Sequence, residues 1–398
     1  MDPIVIIGSG LAGYTVAREL RRLGAPQPVV LLTRDDGVWY SKPMLSNAHA
    51  AGKNPQTLAS STAAQMAEQL SIDIRTHVQA LRIVPEHHEV QTTGGNVRYS
   101  SLVLAVGADP VPLEVCSALP HSYAVNDLDD YGRFRRALEG ARRVAILGGG
   151  LIGCEFANDL VISGYRVTVI DPGDWPLGRI VPEAVGRALQ DALAGAGVVW
   201  RLRRVAERAD VVESGTRLHL SDAEVVEADV VLAAVGLRAR LQLARTAGLS
   251  VDRGILTDAF LETSEAGIYA LGDCAQVNDR HLPFVLPLMQ CARALAKTIA
   301  GERTAVAYPA MPVIVKTPAL AVTVAPPAPG VRGKWHIEAA GPDVAARFEN
   351  LRGELAGFAL AGAANARKAA FVRELNENLQ AKSETAGHAS EVIATVRP

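Results

Sequence analysis

The chain has 398 residues, of which 49% are hydrophobic and 21% are charged, a composition typical of a folded protein of two or three domains. Forty Lys and Arg oppose 42 Asp and Glu, so the basic excess of a bulk nucleic-acid or membrane-surface binder is missing. The four cysteines are scattered without a C-x-x-C pair, which argues against a disulfide scaffold or a zinc site and favours a reducing compartment.

The first predicted strand begins at Pro3 and ends in the motif G-x-G-x-x-G. No secretory signal pattern precedes this strand and no apolar run is long enough to span a bilayer, so we expect a cytoplasmic protein. In such a motif the first glycine permits a tight turn, the second lets a pyrophosphate approach the backbone, and the third lets the following helix pack on the strand. The candidate residues are Gly8, Ser9, Gly10, Leu11, Ala12 and Gly13.

Acidic residues and a second glycine turn follow at two further predicted strand ends. A run at 29–32 is followed by Asp35 and Asp36, and a carboxylate at this place can accept hydrogen bonds from both hydroxyls of a ribose. Asp-Asp-Gly is also a good turn sequence, so the choice between the two residues stays open. The next buried run ends at Ala105-Val106-Gly107.

The same order of features returns about 140 residues later. A strand at 144–147 leads into a second G-x-G-x-x-G, and a strand at 167–170 ends at Asp171, whose carboxylate would repel a 2′-phosphate and therefore favours NADH over NADPH. Ala-Val-Gly recurs at 234–236, so two units of one kind predict two nucleotide sites. The candidate residues here are Gly148, Gly150, Leu151, Ile152, Gly153, Asp171 and Gly236.

A last strand end, Tyr-Ala-Leu-Gly-Asp at 269–273, places Asp273 after Gly272. Ligands of open α/β sheets bind at the carboxyl ends of strands, and an acid there can bond polyol hydroxyls or a ribityl chain. In this order, the five features resemble the flavoprotein disulfide-reductase superfamily with two dinucleotide-binding domains, over about residues 1–320. The resemblance implies that the N-terminal motif, Ala105, Gly107, Gly272 and Asp273 hold FAD and that the central motif holds NADH.

The fold implied is α/β, with two Rossmann-like dinucleotide-binding domains arranged as in glutathione reductase and a C-terminal α+β interface domain. Residues 1–110 and 241–315 would form the FAD domain, and residues 111–240 an inserted NAD domain. Residues 316–382 would form the interface domain, ending in a helix from 362 to 382, and residues 383–398 a mobile tail.

Disulfide-reducing members of this superfamily carry redox-active cysteines near the flavin, whereas the corresponding segment here, Tyr-Ser-Lys-Pro-Met-Leu-Ser at 40–46, has none. Thiol relay chemistry needs a thiolate beside the flavin, so we interpret Cys154 and Cys274 as small buried residues. The segment is instead similar to that of the ferredoxin- and rubredoxin-reductase branch, as are 153–160, 289–296 and 315–318.

This second resemblance implies specific roles for single residues. Lys42 would lie at the flavin with Glu155 opposite it, an ion pair that adjusts the flavin and places the nicotinamide. Val78 would offer backbone contacts to the adenine, and Val285 and Lys316 would flank the isoalloxazine from the far side.

The activity implied is transfer of a hydride from NADH to FAD and then of single electrons to a small iron–sulfur carrier, with rubredoxin as the expected partner. Carriers of this kind are often acidic, so Lys297, Lys316, Arg332 and Lys334 are candidates for a basic rim. The alternatives are a ferredoxin or flavorubredoxin reductase, and an FAD-binding signalling or structural protein with a slow NADH reaction. An NADH oxidase or peroxidase is disfavoured by the missing cysteine.

Overall fold

The computed structural model describes residues 2–213 and 215–394, with side chains described up to residue 381. The chain forms two similar parallel-sheet units and a C-terminal antiparallel sheet. The elements up to residue 110 are β1 (Ile4–Ile7), α1 (Leu11–Arg22), β2 (Val29–Leu32), α2 (Pro55–Leu58), α3 (Ala63–Leu70), β3 (Asp73–Arg75), β4 (Ala80–Val84), β5 (Glu89–Thr92), β6 (Gly95–Arg98), β7 (Ser101–Leu104) and β8 (Ala108–Pro110). Short 3-10 helices span Lys42–Asn47 and Pro85–His87.

The second unit repeats this plan between residues 111 and 240. After a 3-10 turn at Glu114–Cys116 it contains β9 (Ser122–Tyr123), α4 (Leu128–Ala137), β10 (Arg143–Leu147), α5 (Leu151–Ile162), β11 (Arg166–Asp171), α6 (Glu183–Gly195), β12 (Val199–Leu202), β13 (Ala206–Val212), β14 (Gly215–Leu220), β15 (Val225–Ala228), β16 (Val230–Ala233) and β17 (Leu237–Ala239). Strands β17 and β8 then pair, so the chain leaves the first unit and returns to it at one place.

The returning chain completes the first sheet. It supplies α7 (Gln242–Thr246), β18 (Ile255–Thr257), β19 (Ile268–Ala270), a 3-10 turn at Gly272–Cys274, β20 (Ala275–Val277) and α8 (Val285–Ile299). The first parallel sheet has the order β19-β7-β1-β2-β3, and the second has the order β9-β16-β10-β11-β12. Each unit also carries a three-stranded antiparallel sheet, β4-β5-β6 in the first and β13-β14-β15 in the second.

The two units agree down to single backbone hydrogen bonds. The N–H of Gly8 donates to Leu32 O at 2.8 Å, and the N–H of Gly148 donates to Ile170 O at 2.8 Å. Strand β1 is buried at all four residues, as expected for a parallel strand covered on both faces. The duplication predicted from the sequence is therefore present in the fold.

The C-terminal part is a five-stranded sheet followed by a helix. Its elements are β21 (Val313–Val315), β22 (Val322–Ala325), β23 (Gly333–Ala340), β24 (Asp343–Asn350), β25 (Leu355–Ala361), a 3-10 turn at Gly362–Arg367, and α9 (Lys368–Ala394). Strand β21 pairs with β22, so the C-terminal sheet begins before the predicted domain boundary at 316, which is corrected to lie ahead of Val313. Helix α9 continues to Ala394, beyond the predicted tail start at 383; residues 395–398 lie outside the described ranges.

Both faces of the C-terminal sheet are covered. Val322 and Val344 pack with Leu189 of α6 in one core with the second unit, whereas Phe358 on the opposite face lies 5.3 Å from Phe371 of α9, centroid to centroid. Each such buried side chain contributes about 1.5–3 kcal/mol. Within the ranges described, no helix is long and apolar enough to cross a membrane.

Candidate functional site

The first glycine motif closes a tight strand–turn–helix connection. Gly8 has a φ of +116°, and a Cβ there would collide with the carbonyl oxygen of Ala105 at the end of β7. A Cβ on Gly13 would collide with the carbonyl oxygen of Gly8, so helix α1 packs directly on the turn. The predicted roles of the first and third glycines, and the place of Ala105 beside them, follow from this packing.

The second motif repeats the arrangement. Gly148 has a φ of +109°, and a Cβ there would lie 2.6 Å from Ala234 O, while a Cβ on Gly153 would collide with Gly148 O. Gly107 and Gly236, which end the two Ala-Val-Gly turns, both have positive φ.

The middle glycines are different, because a Cβ on Gly10 or Gly150 would meet no protein atom within 4 Å. Each of these residues is the N-cap of a helix, α1 or α5, and as a glycine it has no side chain that could accept a hydrogen bond from the first turn. The first turns begin at Leu11 and Leu151, and the first N–H groups of a helix have no acceptor within the helix itself. Two backbone cradles of this kind fit the pyrophosphates of two dinucleotides.

The hydrogen bonds of the two acids after β2 differ. The Oδ1 atom of Asp35 accepts from Ser9 Oγ at 3.0 Å, from Thr33 Oγ1 at 2.6 Å and from Gly37 N at 3.0 Å. Its carboxylate therefore lies against the glycine loop, although Asp35 and Asp36 are both exposed. Asp35 is the candidate for the ribose, and its Oδ2 accepts no hydrogen bond within the described ranges.

Asp171 has the matching position in the second unit. Its two carboxylate oxygens accept from Gly149 N at 2.6 Å and from Gly173 N at 2.7 Å. The negative charge thus lies at the mouth of the second cradle, next to Gly150. This placement is the one that favours ribose hydroxyls over a 2′-phosphate.

Lys42 and Asp273 lie in the first unit near the first cradle. A Cβ on Gly272 would lie 3.1 Å from Ala12 Cβ, so the Gly-Asp turn contacts the start of α1. Burial lowers the pKa of the Lys42 ammonium below its usual value, and Asp273 opposes this shift. The ammonium of Lys42 forms no hydrogen bond or ion pair with the residues that the structure describes, so it is available to a bound cofactor.

The prediction that Lys42 forms an ion pair with Glu155 is wrong. Glu155 is fully buried, and its Oε2 lies 3.1 Å from the ammonium of Lys316, while its Oε1 accepts from Lys316 N at 2.9 Å. Ser46 Oγ donates to the same carboxylate. The cation opposite Glu155 therefore comes from the C-terminal part of the chain, because the loop after β21 reaches helix α5.

Three further predicted residues, Val78, Val285 and Ile152, have no contact with the described residues that assigns them a role. The N–H of Val78 is donated to Thr33 O at 2.9 Å, and Val285 is the exposed first residue of α8. Ile152, in the first turn of α5, is 40% exposed beside Gly150.

Two further residues of α5 were missed by the sequence reasoning. The buried Asp159 accepts from His49 N at 2.9 Å and from Ala50 N at 3.1 Å, and Asn158 Oδ1 accepts from Ala319 N at 3.0 Å. Together with Glu155 they form a polar face at i, i+3 and i+4 of an otherwise apolar helix, a spacing that was visible in the sequence.

Burial raises the pKa of Asp159 to about 6, from 3.8. A raised pKa in the folded state means that protonation stabilises the fold, and that this contribution is lost as the pH rises through about 6. When the pH is lowered from about 8 to about 5, we expect protonation of Asp159 to raise the free energy of unfolding of the wild type by roughly 1 kcal/mol. Urea unfolding of Asp159→Asn at both pH values checks this, because the variant lacks that part of the gain; equal pH dependence in both proteins would contradict it.

Arg240 was also missed. Its Nε donates to Asp109 Oδ1 at 2.7 Å and its Nη1 to Val106 O at 2.8 Å, so it holds the first Ala-Val-Gly turn across the β8–β17 ribbon. In the sequence, residue 240 was identified only as the end of the predicted NAD domain.

The four cysteines are unpaired, and burial raises the pKa of every one of their thiols. Cys154 and Cys274 are fully buried, as predicted, and neither lies in the segment Lys42–Asn47. Raised pKa values keep the thiols protonated and unreactive. In the part of the chain that is described, no three His, Cys, Asp or Glu side chains are placed to hold a metal ion.

The sequence model of the pyridine nucleotide-disulphide oxidoreductases matches residues 2–296, which include both cradles. The chain belongs to this family. A second model, the rubredoxin binding C-terminal domain, matches residues 305–375 of this pyridine nucleotide-disulphide oxidoreductase. That match covers the C-terminal sheet, including β21.

Individual relatives agree with both matches. The chain is 48% identical to the rubredoxin-NAD(+) reductase of Alcanivorax borkumensis, over 94% of this chain and 99% of that protein. It is 39% identical to the nitric oxide reductase FlRd-NAD(+) reductase of Aeromonas hydrophila, over 90% and 92%. One chain of the covalent putidaredoxin reductase–putidaredoxin complex shares the fold, with a TM-score of 0.86, 25% identity and 95% coverage of both chains.

Proposed function

We propose that this protein is an NADH:rubredoxin oxidoreductase of the cytoplasm that uses FAD. The observation that carries the proposal is the joining of two dinucleotide cradles to a C-terminal domain of the rubredoxin-binding type in one chain. FAD, when bound, accepts a hydride from NADH and releases electrons singly. The four unpaired cysteines agree with a reducing compartment.

The chain's own residues bind and orient the two nucleotides. The first cradle and Asp35 hold the FAD pyrophosphate and ribose, and the second cradle and Asp171 hold those of NADH. Lys42 brings to the flavin an ammonium that forms no ion pair with any described residue, although Asp273 acts on it electrostatically. A positive charge there stabilises the negative charge that develops on the flavin as it accepts the hydride.

Electrons leave from the flavin and not through a thiol relay. The segment Lys42–Asn47 has no cysteine, and burial of Cys154 and Cys274 raises the pKa of both thiols. A one-electron carrier bound close to the flavin is the simplest acceptor in this arrangement.

The C-terminal domain has a net positive charge, which is complementary to the charge of an acidic carrier. Residues 305–375 contain eight Lys and Arg against five Asp and Glu, although the whole chain carries a formal charge of −2. The four residues proposed as a rim do not form one patch, however. Lys297 pairs with Glu302 and Lys316 pairs with Glu155. Lys334 is at the opposite end of the sheet from Lys316, about 20 Å away along the strands, as is Arg332.

We expect carrier reduction at subsaturating rubredoxin to slow by about threefold when the ionic strength rises from about 0.01 M to about 0.15 M, because salt screens attraction between the basic domain and an acidic carrier. Reduction of ferricyanide, a small acceptor, serves as the control for effects on NADH oxidation. A rubredoxin rate that is insensitive to salt would exclude electrostatic steering.

A flavorubredoxin or ferredoxin reductase is the second candidate, favoured by the similarity to the Aeromonas hydrophila protein. Steady-state turnover with purified rubredoxin, flavorubredoxin and ferredoxin distinguishes the three. We expect the highest kcat/KM with rubredoxin; a tenfold preference for either of the others would replace the proposal. If none of the three acceptors supports multiple turnovers, a signalling or structural role with a slow NADH reaction would be favoured instead.

A further inference from the structure

One buried carboxylate joins all three parts of the molecule. Glu155 belongs to helix α5 of the second unit, Ser46 to the segment Lys42–Asn47 of the first unit, and Lys316 to the loop after β21. Lys316 contacts Glu155 through both its amide and its ammonium, and the ammonium also donates to Pro43 O. Asn47 Nδ2 in turn donates to Lys316 O at 2.8 Å.

The chemistry of this junction requires a cation. A carboxylate with no exposed surface is costly unless an ion pair and hydrogen bonds replace its water. Lys316 supplies the ion pair and its amide one of the bonds. The carboxylates that act on Lys42 are instead Asp273, Asp127 and Asp130.

We propose that Lys316, through its ion pair with Glu155, is a positioning residue for flavin reduction, because it fixes the segment Lys42–Asn47 against α5. The C-terminal domain thereby takes part in building the flavin and nicotinamide site. The role in reduction rests on the proposed function, whereas the ion pair itself does not.

The charged groups around this junction come from every element packed on it. Asp159 lies one turn further along α5, with Lys316 acting on its carboxylate. His49 follows the segment Lys42–Asn47, and Arg135 of α4 acts on its ring. Cys154 lies next to Glu155, which acts on its thiol.

Melting of the FAD-loaded protein tests the ion pair. Lys316→Met leaves a buried carboxylate without its cation, so we expect the melting temperature to fall by about 5 °C or more. Adding Glu155→Gln removes that charge and restores at least about half of the loss. Glu155→Gln added to Lys42→Met restores nothing. Rescue of Lys42→Met, with further loss on Lys316→Met, would assign Glu155 to Lys42 and overturn the proposal.

Anaerobic reduction by NADH tests the positioning role. For Lys316→Met we expect the limiting rate of flavin reduction to fall about tenfold, with the half-saturating NADH concentration changed less than about twofold. Lys316→Arg recovers most of the rate. The control is Arg347→Gln, which removes the bidentate pair with Glu374 in the same domain. We expect it to lower the melting temperature without lowering the limiting rate.

An unchanged limiting rate in a destabilised Lys316→Met protein would show a purely structural role and overturn the proposal. If that variant does not accumulate in folded form, Glu155→Gln with Lys316→Gln replaces it, with the same loss of rate expected and an unchanged rate contradicting the proposal. Neither readout uses rubredoxin, so failure of the proposed acceptor would leave both results intact.

Discussion

Gly150→Ala is expected to leave the protein folded and FAD-loaded while weakening NADH binding by about 100-fold or more, which corresponds to about 2.7 kcal/mol. The added methyl would meet no protein atom within 4 Å, so the fold has room for it. The space that it fills is the cradle at the N-terminus of α5, where the NADH pyrophosphate has to approach the backbone. Anaerobic titration of the flavin absorbance with NADH measures the change.

Two matched glycines make this result specific. Gly153→Ala would collide with Gly148 O, so we expect it to destabilise the second unit as well as to abolish NADH reduction. Gly195→Ala, at the end of α6, meets no neighbour within 4 Å and should leave NADH binding unchanged with a gain of up to about 1 kcal/mol. Wild-type NADH affinity in Gly150→Ala would show that the second cradle does not hold the nucleotide.

Lys42→Met is expected to slow flavin reduction by NADH about 100-fold, the usual cost of removing one group that stabilises developing charge. The ammonium of Lys42 has no ionic partner among the described residues and is available to the flavin. FAD is held mainly by the first cradle, so we expect the FAD content to change less than about twofold. Stopped-flow reduction and the flavin-to-protein absorbance ratio measure the two quantities, and equal losses in both would contradict the role of Lys42.

The pH dependence of the same reaction gives an independent check. Because burial lowers the pKa of Lys42, its charge is lost as the pH rises through that lowered value, and the reduction rate should fall on the alkaline side. Arginine stays protonated throughout this range, so Lys42→Arg should flatten the profile. An identical alkaline fall in Lys42→Arg would assign the titration to another group.

The parts of the site that the sequence predicted are those fixed by local backbone chemistry. Gly8, Gly13, Gly148 and Gly153 pack so closely against carbonyl groups that no other residue fits, and this constraint is written in the motif itself. The order of the strands follows from the same local rule applied twice.

The parts that were missed depend on contacts between distant segments. Whether Glu155 pairs with Lys42 or Lys316 is decided by where the loop after β21 reaches helix α5, and no local pattern encodes that. The choice between Asp35 and Asp36 was left open, because both follow β2 and only the folded turn brings the Asp35 carboxylate to Ser9.

The break between β24 and β25 was not predicted for a different reason. The sequence between Phe348 and Leu360 indicates further strand structure without showing where it is interrupted, whereas β24 ends at Asn350 and β25 begins at Leu355. Asn350 accepts from Arg352 N and Glu354 N and so holds the tight turn between them. Turn chemistry at a single asparagine is easily overlooked beside a hydrophobic pattern.

The central claim is that electrons pass from NADH to the flavin and from the flavin directly to rubredoxin. Anaerobic mixing of the FAD-loaded protein with one equivalent of NADH, followed by rubredoxin, with both chromophores observed, tests it most directly. We expect the flavin absorbance to be lost with NADH and to return as two rubredoxin molecules are reduced for each NADH. A flavin that remains reduced beside oxidised rubredoxin, yet reoxidises with a disulfide substrate, would contradict the account.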